Sequence, residues 1–171
     1  MRDFSRVRMN KLQREAEGYL ELGLPQQALN SLGRLSESGR KSTTSLYLQG
    51  EALRAMSRFE EAVVPLRQAA KAEPENIHVW MALGWCYKRS GQIDLAIDAL
   101  LRALEADPEE PILHYNLACY YSLANAKDRA LERLSRALAI NPELRQKIDG
   151  EPDFDPLRND QDFLALTSII V

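Results

Sequence analysis

The chain has 171 residues, 45% hydrophobic and 27% charged, with a formal net charge of −3. That length carries one sizeable core or one stack of repeats, and the balance is that of an ordered, soluble protein. The acidic balance argues against nucleic acid as a partner, and no stretch approaches the roughly 18 apolar residues that span a bilayer.

The opening MRDFSRVRMNKLQREAEGYL has arginines with no apolar run behind them, so it predicts no secretion leader and a cytoplasmic location. Charge is uneven: residues 1–42 hold eight Lys/Arg against five Asp/Glu, and residues 145–171 hold three against six. Such asymmetry orients a charged partner only at short range, because salt screens the rest.

A 34-residue period organises the chain from residue 9 onward. The first unit, 9–42, is degenerate. It places Leu12, Ala16, Tyr19, Ala28 and Leu32 at positions 4, 8, 11, 20 and 24, but has Leu35 at 27 and Arg40 at 32. The second, 43–76, has Leu46, Gly50, Leu53, Ala62, Leu66, Ala69 and Pro74 at positions 4, 8, 11, 20, 24, 27 and 32. In the third, 77–110, Trp80, Leu83, Gly84 and Tyr87 are followed by Ala96, Leu100, Ala103 and Pro108. The fourth, 111–144, has His114, Leu117, Ala118, Tyr121, Ala130, Leu134, Ala137 and Pro142.

Small residues at 8 and 20 let two helices cross closely, and large apolar residues at 4, 7, 11 and 24 make one helical face. Proline at 32 ends the second helix. Gly23, Ser57, Gly91 and Asn125 share one turn position, where a helix ends in left-handed backbone, and Pro25 suits the first turn of the helix after it. The tail starts a fifth unit with Ile148 at position 4, but Pro152 falls at position 8 and halts it. Phe154, Pro156, Leu157, Phe163 and Leu166 are expected to cover the last apolar edge, with Asp160 or Asn159 capping a helix over 160–168. The final Thr-Ser-Ile-Ile-Val is expected to pack with this cap.

The W-x2-L-G-x2-Y spacing of Trp80, Leu83, Gly84 and Tyr87, with the later alanines and Pro108, resembles the tetratricopeptide repeat family over residues 9–144. The segment EPDFDPLRNDQDFLAL is similar to the closing segment found after the last repeat in bacterial members. The resemblance implies an all-α fold: a right-handed α-α superhelix of four helix-turn-helix repeats over 1–144, plus a capping segment at 145–171. It also implies a concave groove lined by the first helix of each repeat, where positions 2, 5, 9, 12 and 13 meet a bound segment.

Carried over position by position, those places give Asn10, Gln13, Glu17, Leu20 and Glu21; Thr44, Tyr47, Glu51, Arg54 and Ala55; His78, Met81, Trp85, Lys88 and Arg89; and Ile112, Tyr115, Cys119, Ser122 and Leu123. Of these, Tyr47, Arg54, His78, Met81, Trp85, Lys88, Arg89, Tyr115 and Cys119 are taken as the peptide-binding set. Aromatic and sulfur side chains beside a basic rim suit a partner with an apolar anchor and acidic flanks. The competing arrangement stacks Arg89 on Trp85 and pairs Glu51 with Arg54, so that the patch is partly closed by the molecule itself. The carboxylate clamp found in one subtype of the family, the co-chaperones of heat-shock proteins, is rejected. Its positions 2 and 6 here hold Asn10/Arg14, Thr44/Leu48, His78/Ala82 and Ile112/Asn116, without the two lysines it needs.

No sequence signature of an enzyme is present: nucleophile elbow, HExxH and GxGxxG are all missing. Gly39–Thr43 (GRKST) lacks the spacing of a phosphate loop. The acidic run Asp149, Glu151, Asp153, Asp155 fails as a calcium loop, since Arg158 and Leu164 occupy the glycine and glutamate places. No cofactor and no metal are expected. His114 is read as a packing residue, Cys86 as buried, and Cys119 as facing the groove without a disulfide.

The expected function is a non-enzymatic adaptor or scaffold that binds a protein segment in the groove, as a monomer or weak homodimer, with no membrane or nucleic-acid partner. Two alternatives stand beside it. One is a secretion-type chaperone for an unstable client. The other is a self-assembling module that buries Leu22, Leu24 or Leu35 at the open end of the first repeat.

Overall fold

The fold comes from a computed structural model that describes the backbone of residues 2–168 and the side chains of 5–168; Ile169, Ile170 and Val171 lie outside the described residues. All regular structure among the described residues is helical. No helix among them is long and apolar enough to cross a membrane.

Long helices alternate along the chain: α1 (Arg2–Glu21), α2 (Pro25–Gly33), a short α3 (Glu37–Arg40), α4 (Thr43–Ala55), α5 (Phe59–Ala72), α6 (Ile77–Arg89), α7 (Ile93–Ala106), α8 (Pro111–Leu123) and α9 (Lys127–Ile140). The pairs α1/α2, α4/α5, α6/α7 and α8/α9 are hairpins, and successive hairpins stack into an all-α superhelix. A 3-10 turn (Pro142–Leu144), α10 (Arg145–Ile148), a second 3-10 turn (Pro152–Leu157) and α11 (Gln161–Thr167) close the chain.

One backbone device makes each hairpin. Gly23, Ser57, Gly91 and Asn125 have φ of 70°, 58°, 74° and 56°. The next amide then reaches back five residues: Leu24 to Tyr19 O at 2.8 Å, and Arg58 to Leu53 O, Gln92 to Tyr87 O and Ala126 to Tyr121 O, each at 2.9 Å. This pairing satisfies carbonyls that the helix end leaves open. Helix starts are also paid for locally: the Asn76 side chain accepts from the Val79 amide and Ser42 from Ser45, while Pro25 and Pro111 open α2 and α8.

The hairpins are thin because their crossings hold small residues. A Cβ on Gly50 would lie 2.4 Å from Leu66 Cγ, and one on Gly84 would lie 3.3 Å from the Ala96 carbonyl. Ala16, Ala28, Ala62, Ala96 and Ala118 are buried to within 1%. One core runs from Leu46 to Phe163. A second, smaller one gathers Leu12, Ala16, Ala28, Leu32, Leu35, Leu48 and Ala52 around the first hairpin.

Two features depart from expectation at the start of the stack. Leu35 is not exposed at the open end; it is 6% exposed and packs in the smaller core, whereas Leu22 is 72% exposed. Where the first unit lacks its proline, α3 fills the loop, and Arg40 donates to the carbonyls of Gly33 and Leu35 at the end of α2.

At the other end Phe154, Leu157 and Phe163 are buried and Leu166 is half-buried, but Pro156 is exposed. Asp160 caps α11 by accepting from the Asp162 and Phe163 amides. Arg145 donates to Leu166 O, and Arg158 donates to the carbonyls of Ile148, Asp149 and Glu151. Lys127 bonds both Asp160 and Asp162, which raises the lysine above its ordinary value and holds the Asp160 carboxyl below its usual range.

The crossing and the turn can be tested by urea denaturation. Gly50→Ala should destabilise the chain by about 1–3 kcal/mol, because its methyl overlaps a fully buried leucine. Ser57→Gly should stabilise it by about 0.5–1 kcal/mol, since relief of a left-handed non-glycine residue outweighs the entropic cost of glycine. An unchanged midpoint in Gly50→Ala would show that the α4–α5 crossing has room.

Candidate functional site

The first helices of the hairpins line one continuous inner face. Between α1 and α4 lies a pocket of about 210 Å³ with Asn10, Gln13, Glu17, Thr44 and Tyr47 in its walls. Beside it, α4, α6 and α8 enclose a pocket of about 220 Å³ lined by Tyr47, Glu51, Arg54, His78, Met81, Trp85, Asn116 and Tyr120. Of the nine residues proposed from sequence, Tyr47, Arg54, His78, Met81 and Trp85 therefore share one cavity.

Trp85 is held from several sides. Its ring meets Phe59 edge-on at 5.2 Å and 79°, and the guanidiniums of Arg54 and Arg89 lie 5.1 and 5.5 Å from its centre. Arg89 also lies 5.2 Å from the Phe59 ring. Arg54 is tied down further by Glu51, with Nε to Oε1 at 2.9 Å and Nη2 to Oε2 at 2.6 Å. That pairing raises the Arg54 pKa above its ordinary value, and burial with the Glu51 charge raises that of Tyr47. Both halves of the self-closing arrangement weighed in sequence, Arg89 on Trp85 and Glu51 with Arg54, are present. Arg89 is exposed and has no carboxylate partner among the described residues.

The fourth hairpin is different, because the C-terminal segment turns back over α8 and shuts its inner face. Asp153 Oδ2 bonds Lys88 Nζ at 2.5 Å, and that ammonium lies 5.6 Å from the Tyr120 ring. Phe154 stands edge-on to Tyr115 at 5.7 Å and packs on Phe163 at 5.4 Å. In consequence Tyr115 is 3% and Cys119 2% exposed. These two candidates are corrected from groove-lining to covered, and Lys88 is spent on the tail rather than free for a partner. Burial pushes the phenol of Tyr115 and the thiol of Cys119 well above their ordinary values.

Glu51, at position 9 of the second repeat, lines the cavity as the family positions imply, whereas Asn116 and Tyr120 line it without belonging to those positions. Tyr120 and Asn116 sit one place beyond the family positions, and only the three-dimensional course of α8 turns them inward. His114 is buried, with Nε2 2.9 Å from Pro108 O. Cys86 is buried and its thiol is pushed up to about 11 by desolvation.

Two family models described as tetratricopeptide repeat match the sequence, over residues 14–77 and 53–118. A search of curated proteins by sequence finds no match. Among solved structures, the fold is similar to a crystal structure of MamA, with TM-score 0.74 and 21% identity over 81% of each chain. MamA from Desulfovibrio magneticus RS-1, residues 41 to the end, also gives TM-score 0.74, with 18% identity over 93% of each chain. YrrB, described as a TPR protein with an unusual peptide-binding site, gives TM-score 0.72 and 20% identity over 79% of this chain and 70% of its own.

The covered state of the fourth hairpin predicts thiol chemistry. In a Cys86→Ala background, Cys119 should react with an aromatic disulfide reagent only on the timescale of unfolding. Phe154→Ala should open it, speed the reaction strongly, and lower stability by about 3–5 kcal/mol. Fast labelling of the parent would show that the tail does not cover α8.

Proposed function

Because the chain belongs to the tetratricopeptide repeat family, a fold and family typical of non-catalytic protein-interaction modules, we propose that it is an adaptor that holds an extended partner segment in the open part of its inner groove. The bound segment runs along α1, α4 and α6 and ends where the C-terminal segment begins. Its apolar anchor sits in the cavity beside Met81, Tyr47 and the edge of Trp85. Acidic residues flanking that anchor meet Arg89.

The observation that carries this reading is the state of Trp85. It is a rigid aromatic side chain, fixed by Phe59 and two guanidiniums and bordering an open cavity. A side chain already immobilised loses little entropy on binding, which is how a few aromatic and arginine anchors come to dominate an interface. Arg54 contributes less charge than its position suggests, since Glu51 neutralises it. Arg89 is the cation that selects the partner. The groove-bound peptide of this proposal is in keeping with a relative in fold, YrrB, described by its peptide-binding site.

A self-assembling module is the second reading. It is favoured by the exposure of Val7 and Leu22, at 66% and 72%, near the open first hairpin. Light scattering that stays monomeric across concentration would remove it.

The adaptor reading is tested by affinity capture from native lysate followed by titration of the captured partner. Trp85→Ala should weaken binding by about 2 kcal/mol, roughly thirtyfold, if it is the anchor. Arg89→Glu should weaken it further at low salt than at high salt. Equal affinity of parent and Trp85→Ala would remove the groove as the binding site.

A further inference from the structure

The acidic run that fails in sequence as a calcium loop is laid by the fold, at Glu151–Asp153, against α8 beside Cys119. One ligand atom each from Cys119, Glu151 and Asp153 lie within 4.8 Å of one another. The thiol is buried and both carboxylates are half-buried. Each carboxylate has one oxygen engaged: Glu151 Oε1 accepts the Asp153 amide at 3.1 Å, and Asp153 Oδ2 takes the Lys88 ammonium. Their second oxygens have no hydrogen bond among the described residues.

A second observation lies beside this cluster on α8. The Tyr115 hydroxyl, one turn before Cys119 on α8, is buried and has no hydrogen-bond partner among the described residues. A buried polar group without a partner costs free energy and needs an explanation. Charge is also unbalanced. Two carboxylates meet one ammonium, because the Arg158 guanidinium is turned toward the carbonyls of Ile148, Asp149 and Glu151.

We propose that Cys119, Glu151 and Asp153 form a binding site for a thiophilic divalent cation of the zinc class, which fastens the C-terminal segment to α8. The Tyr115 hydroxyl is available to the fourth position, directly or through a water. Zinc accepts four ligands of this mixed sulfur and oxygen kind, whereas calcium and magnesium require a shell of six or more oxygens. On binding, the Cys119 thiol proton passes to solvent. The thiolate, two carboxylates and the Lys88 ammonium then leave two negative charges, which the cation neutralises. No sequence motif announces the site, since the thiol and the acids lie in different elements more than thirty residues apart. The proposal stands independently of groove binding.

The test uses the untagged full chain, stripped of metal and titrated with cobalt and then zinc. One equivalent of cobalt should produce sulfur-to-cobalt charge-transfer absorption, which zinc abolishes. Cys119→Ser should lose the band, and Cys86→Ala should keep it. Glu151→Gln retains the amide acceptor, so the segment stays folded by circular dichroism, yet zinc affinity should fall at least about tenfold. Lys88→Met should raise zinc affinity, because it frees the second Asp153 oxygen. Absence of the band, its survival in Cys119→Ser, or equal zinc affinity in parent and Glu151→Gln would each overturn the proposal.

Discussion

Everything in this molecule follows from how closely two helices of a hairpin approach. At Gly50 there is no room for even a methyl group beside Leu66, and at Gly84 the backbone of α7 is the neighbour. Helices packed so tightly make a hairpin too thin to bury its own apolar faces, so each hairpin leans on the next. The large residues at the outer edges, Leu46, Leu83, Leu117 and Leu134, fill the space between hairpins and join them into one core. The left-handed residues at Gly23, Ser57, Gly91 and Asn125 set each reversal, and thereby place every first helix on the same side. A shared inner face is the geometric product of those two local rules.

A stack built this way has ends, and the two ends are treated differently. At the start, a degenerate hairpin shares a small core with Leu48 and Ala52 of α4 and leaves Leu22 in water. At the finish, proline at 152 prevents another long helix and the chain returns across α8. Burying Phe154 against Tyr115 and Phe163 solves the exposed edge, but it uses inner face to do so. Capping thus takes part of the surface that the proposed binding mode would use. The fourth hairpin goes to the cap, and the inner face that stays open belongs to the hairpins before it.

The fold was legible because its rules are periodic. A repeat of 34 residues with small, large and turn residues at fixed places has one physical solution, and local chemistry narrows the cap of α11 to Asp160 or Asn159, of which Asp160 serves. The stacking of Arg89 on Trp85 was also legible, since residues four apart on a helix meet. Contacts between elements were not. Phe59 against Trp85 depends on how α5 crosses α6. The burial of Tyr115 and Cys119 depends on the path of a segment with no period. Assigning inner-face residues by position treats each helix as if nothing lay upon it, and that assumption fails where the chain folds back. Leu35 misled for the same reason: α3, which replaces a missing proline, has no counterpart in the other units.

The arrangement around Trp85 also constrains how a partner would use it under the proposed mode. Two guanidiniums and the Phe59 ring already lie against the indole, so a partner side chain that stacks on it must compete with them. It must either displace Arg89, the more exposed of the two cations, or enter beside the ring against Met81 and Tyr47. Displacing Arg54 would strand the Glu51 carboxylate in a half-buried site, at a cost well above that of moving an exposed arginine. An acidic residue on the partner lowers the first cost, because it offers Arg89 a new bond as the guanidinium leaves the ring. An apolar anchor with an adjacent carboxylate is therefore the ligand chemistry that this cluster of side chains would accept at least expense.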